Sequence, residues 1–431
     1  MFKKLTLSCI GAAIIAVLIV VGCSKKNPTT SPPPPPAAPT LVSPANGATG
    51  VSTSPTLTWN ASTGAVSYNL EVSTNSSFSS FVYQNYCLAS DSQAISGLDT
   101  ATVYYWRVSA TNTNGTSGWS SVWNFITGKI FTPYAIGYYN VDRQVRDVAL
   151  SGNYSYVALG SSGLHIFDVS NPASPTWTGY YVAPVYDRMD EFFGVAVSGN
   201  YAYVTYNHNA NYYDYGLRII NISNPASPTG VGLCNYNTQG WLGGVAVSGN
   251  YAYVAATQRG LQIYNVSNPA SPTLTGTYNT GYARDVAVSG SYAYVADDVS
   301  GLRIINISNP ASPTGAGYYD TPGLAMAVAV SGNYAYVADG NSGLRIINIS
   351  NPASPTEAGY YDTPGNAIGV AVSDNYAYVA DSDSGLQIIN ISNPASPTGF
   401  YNMPGYVSGV TVSSNYAHVA YSGFVTIIRI K

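Results

Sequence analysis

The chain has 431 residues, room for two or three folded units, and only 8% of them are charged, against roughly 25% in ordinary soluble proteins. A formal net charge of −4 offers no basic footprint, which excludes nucleic acid as an expected partner. With 39 tyrosines in the chain, its surface is expected to be covered by hydroxyls, amides and small residues rather than by ion pairs.

The first 22 residues read as a targeting segment. Lys3 and Lys4 precede the apolar run "CIGAAIIAVLIVV" (9–21), which is too short for a membrane span. The run ends in "VVGCS", which resembles a bacterial lipobox with Cys23 as the acceptor. The resemblance implies cleavage before Cys23, thioether lipidation and N-acylation, and so an exported protein held to the cell envelope at the outer membrane or cell surface. Several acyl chains, each contributing about 0.8 kcal/mol per buried methylene, make a firm anchor. The membrane is thus one expected partner. Residues 23–39 carry five consecutive prolines and are expected to form a semi-rigid polyproline II stalk. With Cys9 lost in the signal and Cys23 lipidated, Cys87 and Cys234 remain, in different units and without metal-ligand spacing; no disulfide is expected.

Residues 40–128 contain short alternating runs, "TLTWN", "SYNLEVS" and "VYYWRVSATN", separated by Ser/Gly/Asn turns. Alternation at this spacing predicts a β-sandwich. The stretch "GLDTATVYYWRVSATNTNGTSGWS" resembles a fibronectin type III domain. That resemblance implies Trp59 as an early core tryptophan, Tyr104 as the tyrosine-corner residue, and a spacer or adhesion role.

From residue 133 to 431 one sentence repeats, clearest as "VAVSGSYAYVADDVSGLRIINISNPASPTGAGYYD" (286–320). It predicts four strands: "VAVS", "YAYVA", "GLRIINIS" and "PTGAGYY". The first strand recurs at Val148, Val195, Val245, Val286, Val328, Val370 and Val410. A period near 40 residues with four strands predicts an all-β, seven-bladed β-propeller. The last unit lacks a fourth strand, while "PYAIGYYN" (133–140) stands alone before the first and matches the fourth-strand pattern. Pairing the two would close the ring and remove two exposed sheet edges. The segment resembles the LVIVD-repeat proteins, whose signature strand reads here as "LRIIN". That resemblance implies a propeller and carries over no catalytic residues. Asn replaces the family's Asp in most copies, Asp168 being retained.

Length irregularities fall on one face, in "VAPVYDRMDEFF" (182–193), "TYNHNANYYDYG" (205–216) and "LCNYNTQGWLGG" (233–244). They gather the ligand-binding candidates Asp187, Arg188, Asp190, Glu191, His208, Tyr212, Tyr213, Asp214 and Trp241. Aromatic rings beside carboxylates and amides suit a sugar or peptide. Arg146–Asp147 and Arg284–Asp285 precede the inner strand in two blades and are expected at the channel mouth. Asp339, Asp381 and Asp383 sit in "DGNSG" and "DSDSG" loops whose oxygen ligands at alternating positions resemble the opening of a calcium loop, which makes them weak calcium candidates; Asx-turns explain the same residues and no downstream glutamate follows. No catalytic residue, cofactor or resident metal is expected. The functional expectation is a non-catalytic surface binding or scaffold module for a protein or polysaccharide. The rival is a polysaccharide hydrolase or lyase drawing on Asp187, Asp190, Glu191 and Asp214.

Overall fold

The computed structural model describes residues 34–100, 102–128, 133–183, 190–208, 214–237, 242–413 and 415–430. The chain divides into two compact units, Met1–Phe131 and Thr132–Lys431. Among the described residues there is no helix, and hence none long and apolar enough to cross a membrane.

The first unit packs two sheets. One contains β1 (Leu41–Ser43), β3 (Thr56–Trp59) and β6 (Ser92–Ala94), ordered β1-β3-β6. The other contains β2 (Ala48–Val51), β4 (Ser67–Ser73), β5 (Tyr83–Leu88), β7 (Val103–Asn112), β8 (Gly115–Thr116) and β9 (Trp123–Thr127), ordered β2-β9-β7-β4-β5 with β8 paired to β7. Alternate residues of β7 point inward, so Tyr104, Trp106 and Val108 join Leu57, Trp59, Leu70 and Phe125 in one core. The Tyr104 hydroxyl accepts the Asp99 N–H at 2.8 Å. Arg107 is held between the rings of Phe78 (4.1 Å) and Trp119 (4.5 Å) and pairs with the buried Glu71 at 2.7 Å.

The second unit is a ring of seven antiparallel sheets. Blades one to six are consecutive meanders; in blade four the strands are Asp285–Ser289, Tyr292–Ala296, Leu302–Asn306 and Thr314–Tyr319, inner to outer. The seventh blade begins with Val407–Val412, and its next strand, Tyr416–Arg429, doubles back at Gly423 (φ +87°). The doubling is fixed by the Ile430 N–H, which donates to the Asn415 carbonyl at 2.9 Å, as Ile349 does to Asn333 in blade five. The fourth strand comes from the other end of the unit: β10 (Tyr134–Gln144) pairs with it from Tyr134↔Arg429 to Gln144↔Ser422. Each inner strand packs on the next and the first packs on the seventh, where the Ser408 hydroxyl donates to the Val145 carbonyl at 3.1 Å. The orphan strand therefore closes the ring, extending through Gln144 rather than ending at 140.

The second and third strands of each blade are buried on both faces, so "YAYVA" and "LRIIN" show little alternation in burial. Each blade lies between two others, and the cores are inter-blade layers such as Tyr294, Ala296, Leu302 and Ile304 against Val328, Val337 and Ile347. In the Ser-Gly-Asn hairpins, Gly332 at φ +57° supplies the left-handed first position of a two-residue turn. The Asn that replaces the expected Asp keeps its polar contact. Asn348 Oδ1 accepts the Ser350 N–H at 3.0 Å, as Asp168 Oδ1 accepts that of Ser170 at 2.8 Å.

Blades interlock through the turn joining third and outer strands. A Cβ on Gly317 of blade four would collide with the carbonyl oxygen of Pro352 in the next blade's Asn-Pro-Ala-Ser-Pro turn. Gly137, Gly179, Gly232, Gly276 and Gly359 meet Pro172, Pro225, Pro269, Pro310 and Pro394 in the same way.

Gly317→Ala is expected to cost about 1–3 kcal/mol of unfolding free energy in a denaturant titration, the usual penalty for overpacking a closed contact. Gly409→Ala, whose Cβ would find only Ala420 Cβ at 4.0 Å, is expected to cost nothing measurable. Equal stability of the two variants would refute the interlock.

Candidate functional site

The inner strands begin around a cavity of about 450 Å³ on the ring axis, lined from all seven blades. Residues just before the inner-strand valine are small in five blades: Gly194, Gly244, Ala327, Gly369 and Gly409. Two blades carry Arg-Asp instead, and the structure brings Arg146, Asp147, Arg284 and Asp285 together around this cavity. The neighbours adapt to them. A Cβ on Gly244 would strike the Asp285 carboxylate, and one on Gly243 would strike the Arg284 carbonyl.

Each aspartate ties two blades together. Asp147 Oδ1 accepts the Val148 N–H at 2.8 Å, and its Oδ2 accepts the Val195 N–H of the next blade at 2.8 Å. Asp285 repeats this with Val286 at 2.8 Å and Val328 at 3.0 Å. Enclosure within the ring disfavours the charged form and pushes Asp147 up to about 7; its four-blade counterpart Asp285, itself pushed up to about 6 by the same burial, adds repulsion to Asp147. The backbone donors oppose the shift without cancelling it.

The arginines stand above these staples. Arg146 lies 5.0 Å from the Phe193 ring centroid, with Nη2 3.8 Å from Glu191 Oε2. Arg284 lies 4.7 Å from the Tyr282 ring and donates from Nε to Asp298 Oδ2 at 2.8 Å. Both arginine side chains remain about one-third exposed. A cation over a ring at the rim of a cavity offers a ligand both a donor fork and an apolar face.

Of the loop candidates, Glu191 is the one whose side chain is described, and it reaches the mouth through Arg146. Asp190 pairs with His208 across the first two strands of blade two, and Asp214 pairs with Asn237 across its outer two. The expected 205–216 loop is largely hairpin, since the second and third strands of that blade run Tyr201–His208 and Asp214–Asn221. Asp187, Arg188, Tyr212, Tyr213 and Trp241 lie outside the described residues. The 182–193 and 233–244 segments nevertheless lead directly into Phe193, Gly194, Leu242 and Gly243, which line the axial cavity.

Asp339 and Asp381 have a structural occupation. The Thr321 hydroxyl donates to Asp339 Oδ1 at 2.5 Å, and the Gly323 N–H to its Oδ2 at 2.8 Å; Thr363 and Gly365 hold Asp381 likewise at 2.6 and 2.8 Å. Each carboxylate thus clasps the connection arriving from the preceding blade. Asp297 does the same with Thr280 at 2.6 Å and the Tyr282 N–H at 2.8 Å. Sequence reasoning passed over Asp297, although "ADDVSG" aligns with "ADGNSG" and "ADSDSG" and would have revealed it. Asp383 is exposed. Among the described residues no three His, Cys, Asp or Glu side chains gather as a metal group would require. His165 sits on a third strand beside Tyr180, burial holding its pKa low, and His418 is buried on the second strand of blade seven.

A family model described as "LVIVD repeat" matches residues 142–183, 193–238, 240–280, 281–321, 322–363, 364–402 and 404–430. No curated protein matches. Among solved structures, the crystal structure of the computationally designed Ika8 protein aligns with a TM-score of 0.49 and 8% identity, over 78% of this chain and 95% of that one.

The staples give stability a pH dependence of definite sign. Unfolded, both carboxyls titrate near 3.8; folded, they keep protons up to about 7 and about 6, so stability falls as pH rises through that window. Buried His418 acts oppositely, its pKa lowered from 6.5 to about 4, adding stability as pH rises between those values. His165, its pKa also lowered by burial, acts with His418, while Asp297, Asp339 and Asp381, pushed up by burial, act with the two staples, so the acids outnumber the imidazoles. Melting is therefore expected to be higher at pH 5.5 than at pH 8, by about 2–4 °C for each kcal/mol. Asp147→Asn should flatten the profile between pH 6.5 and 8; an unchanged slope would remove Asp147 as its source.

Proposed function

The chain belongs to the LVIVD repeat family, and from that premise we propose that it is a non-catalytic binding protein of the bacterial cell envelope, with the axial mouth of its propeller as the ligand face. The observation that carries this reading is the cavity of about 450 Å³ in which two ring-backed arginines, from blades one and four, stand among glycines. The described ends of the 182–193 and 233–244 segments line the same mouth, which supports their reading as part of one binding face for a surface protein or polysaccharide. The buried carboxyls favour binding over hydrolysis. Both oxygens of Asp147 and of Asp285 already hold backbone N–H groups, so neither carboxyl is open to attack a substrate as a nucleophile.

In this reading the segment ending at Cys23 is a lipoprotein signal, residues 23–39 are the stalk, and the first unit is a fibronectin type III-like spacer. The Tyr104–Asp99 contact and the two-sheet strand order support that last assignment. The low charge of the whole surface suits a protein that works beside a membrane without being drawn onto it.

Cys23→Ser is expected to move the protein from the membrane to the soluble fraction after cell lysis; continued sedimentation with membranes would count against lipid anchoring. For the ligand face, a glycan and surface-protein array probed with wild type and an Arg146→Ala/Arg284→Ala double variant is expected to show hits that the variant loses by tenfold or more. Hits retained in full by the variant would move the site elsewhere.

A further inference from the structure

We propose that the outer rim carries a second, repeated site: grooves between adjacent blades that take neutral sugar rings against exposed tyrosines. Two such grooves, of about 600 and 620 Å³, lie at the same place in the fold. One runs between the outer strand of blade four and the 353–355 turn of blade five. The other runs between β10, the outer strand of blade seven, and the 173–175 turn of blade one. The interlock that seats each proline turn against an outer-strand glycine also forms the groove wall, so its shape is fixed before any ligand arrives.

Each groove presents a tyrosine, Tyr318 or Tyr138, with 60% and 65% of its surface open. Tyr360 and Tyr180 occupy the equivalent positions in blades five and one, at 52% and 53%. These rings are braced from the third strand: Arg303 lies 4.6 Å from Tyr318, Arg345 lies 4.5 Å from Tyr360, and His165 lies 5.8 Å from Tyr180. The strand itself does not require tyrosine. Opposite Gln262 and Gln387 the same position holds Thr277 and Asn402.

Charge selects the occupant. Arg303 is matched by Asp320 at 3.3 Å and Asp297 at 3.9 Å; Arg345 is matched by Asp339, Glu357 and Asp362 at 3.7–3.9 Å. Carboxylates outnumber the guanidinium in both clusters, two to one and three to one, so neither leaves a cation to draw an acidic polymer. What the blade-four groove offers is a rigid aromatic face beside the amide of Asn279 and the hydroxyl of Ser354. That pairing fits a pyranose, whose C–H face stacks on a ring while its hydroxyls meet polar groups. Blade five repeats the exposed tyrosine, so one polysaccharide chain can engage Tyr318 and Tyr360 together and gain affinity through linkage.

The test is affinity electrophoresis of the full-length protein through gels containing hydroxyethylcellulose, laminarin or arabinoxylan, with polygalacturonate as the anionic comparison. At least one neutral polymer is expected to retard the wild type, and polygalacturonate is not. Tyr318→Ala/Tyr360→Ala should weaken the retardation about tenfold or more, while Tyr318→Phe/Tyr360→Phe retains it. Tyr138→Ala/Tyr180→Ala, on the other side of the ring, should weaken it in the same direction. Arg146→Ala/Arg284→Ala should leave it intact, which separates this site from the axial mouth. The proposal is overturned if no neutral polymer retards the protein, if only polygalacturonate does, or if the alanine variants, with unchanged melting, migrate as wild type does.

Discussion

The ring depends on a knob and a hole. Each knob is the carbonyl of the first proline in an Asn-Pro-Ala-Ser-Pro turn, and each hole is the missing side chain of a glycine on the previous blade's outer strand. Six blade interfaces use this contact, from Gly137–Pro172 to Gly359–Pro394. The seventh shows what happens without it. Blade seven takes its outer strand from β10, so no such turn joins its third and fourth strands. In blade six, Ile388 pairs with Tyr401, in the register position where Ile304 pairs with Gly317. The glycine is dropped at the one interface that has no carbonyl to admit.

A second layer of contacts follows the same logic. The hydroxyls of Tyr181, Tyr278 and Tyr361 rest over Gly230, Gly315 and Gly399 of the following blades. Where Glu357 stands in place of that glycine, the preceding Tyr319 donates a hydrogen bond to it at 2.9 Å. Where Cys234 replaces the tyrosine, Leu274 stands opposite in the glycine's place. At the closure, Ser155 replaces the usual alanine and hydrogen-bonds Tyr139 of the N-terminal strand at 2.6 Å. These exchanges keep each interface filled, which is why a ring with so few charges holds together through packing and short local hydrogen bonds. It also fixes where the inner strands begin, and therefore the geometry of the axial mouth.

The blade count, the strand order and the closing role of residues 133–140 were legible in the sequence, because repetition turns one local pattern into many observations. Arg146, Asp147, Arg284 and Asp285 were legible as outliers at a position that is otherwise small. The inserted segments were less so. A single unrepeated stretch such as 205–216 gives no second copy to align, and its strand residues Thr205–His208 read as loop because Tyr, Asn and His carry no clear period. The aspartate clasp at Asp297 was hidden for a different reason. Its partner threonine lies in the preceding blade's connection, and a contact that bridges two repeats cannot be seen within one. Asp339 and Asp381 invited a calcium reading for the same reason, their acceptor geometry being visible in the loop and their donors not.

Repeat sequences therefore permit a sharper question than conservation within the chain. A departure that is answered by a matching departure in the adjoining blade serves packing: Tyr401 answers an absent turn, Gly244 answers Asp285, and Leu274 answers Cys234. A departure with no packing answer needs another cause. The guanidinium of Arg284 sits over Tyr282 and is held by Asp298, which adopts a left-handed φ of +50°. Five blades close the axis at the corresponding level without any charged residue. The exposed rim tyrosines belong to the same class, because threonine or asparagine completes the strand as well. Charge and aromatic surface held in place where packing does not ask for them are what a ligand would use. In this ring both kinds lie outside the interlock, at the axial mouth and along the outer strands.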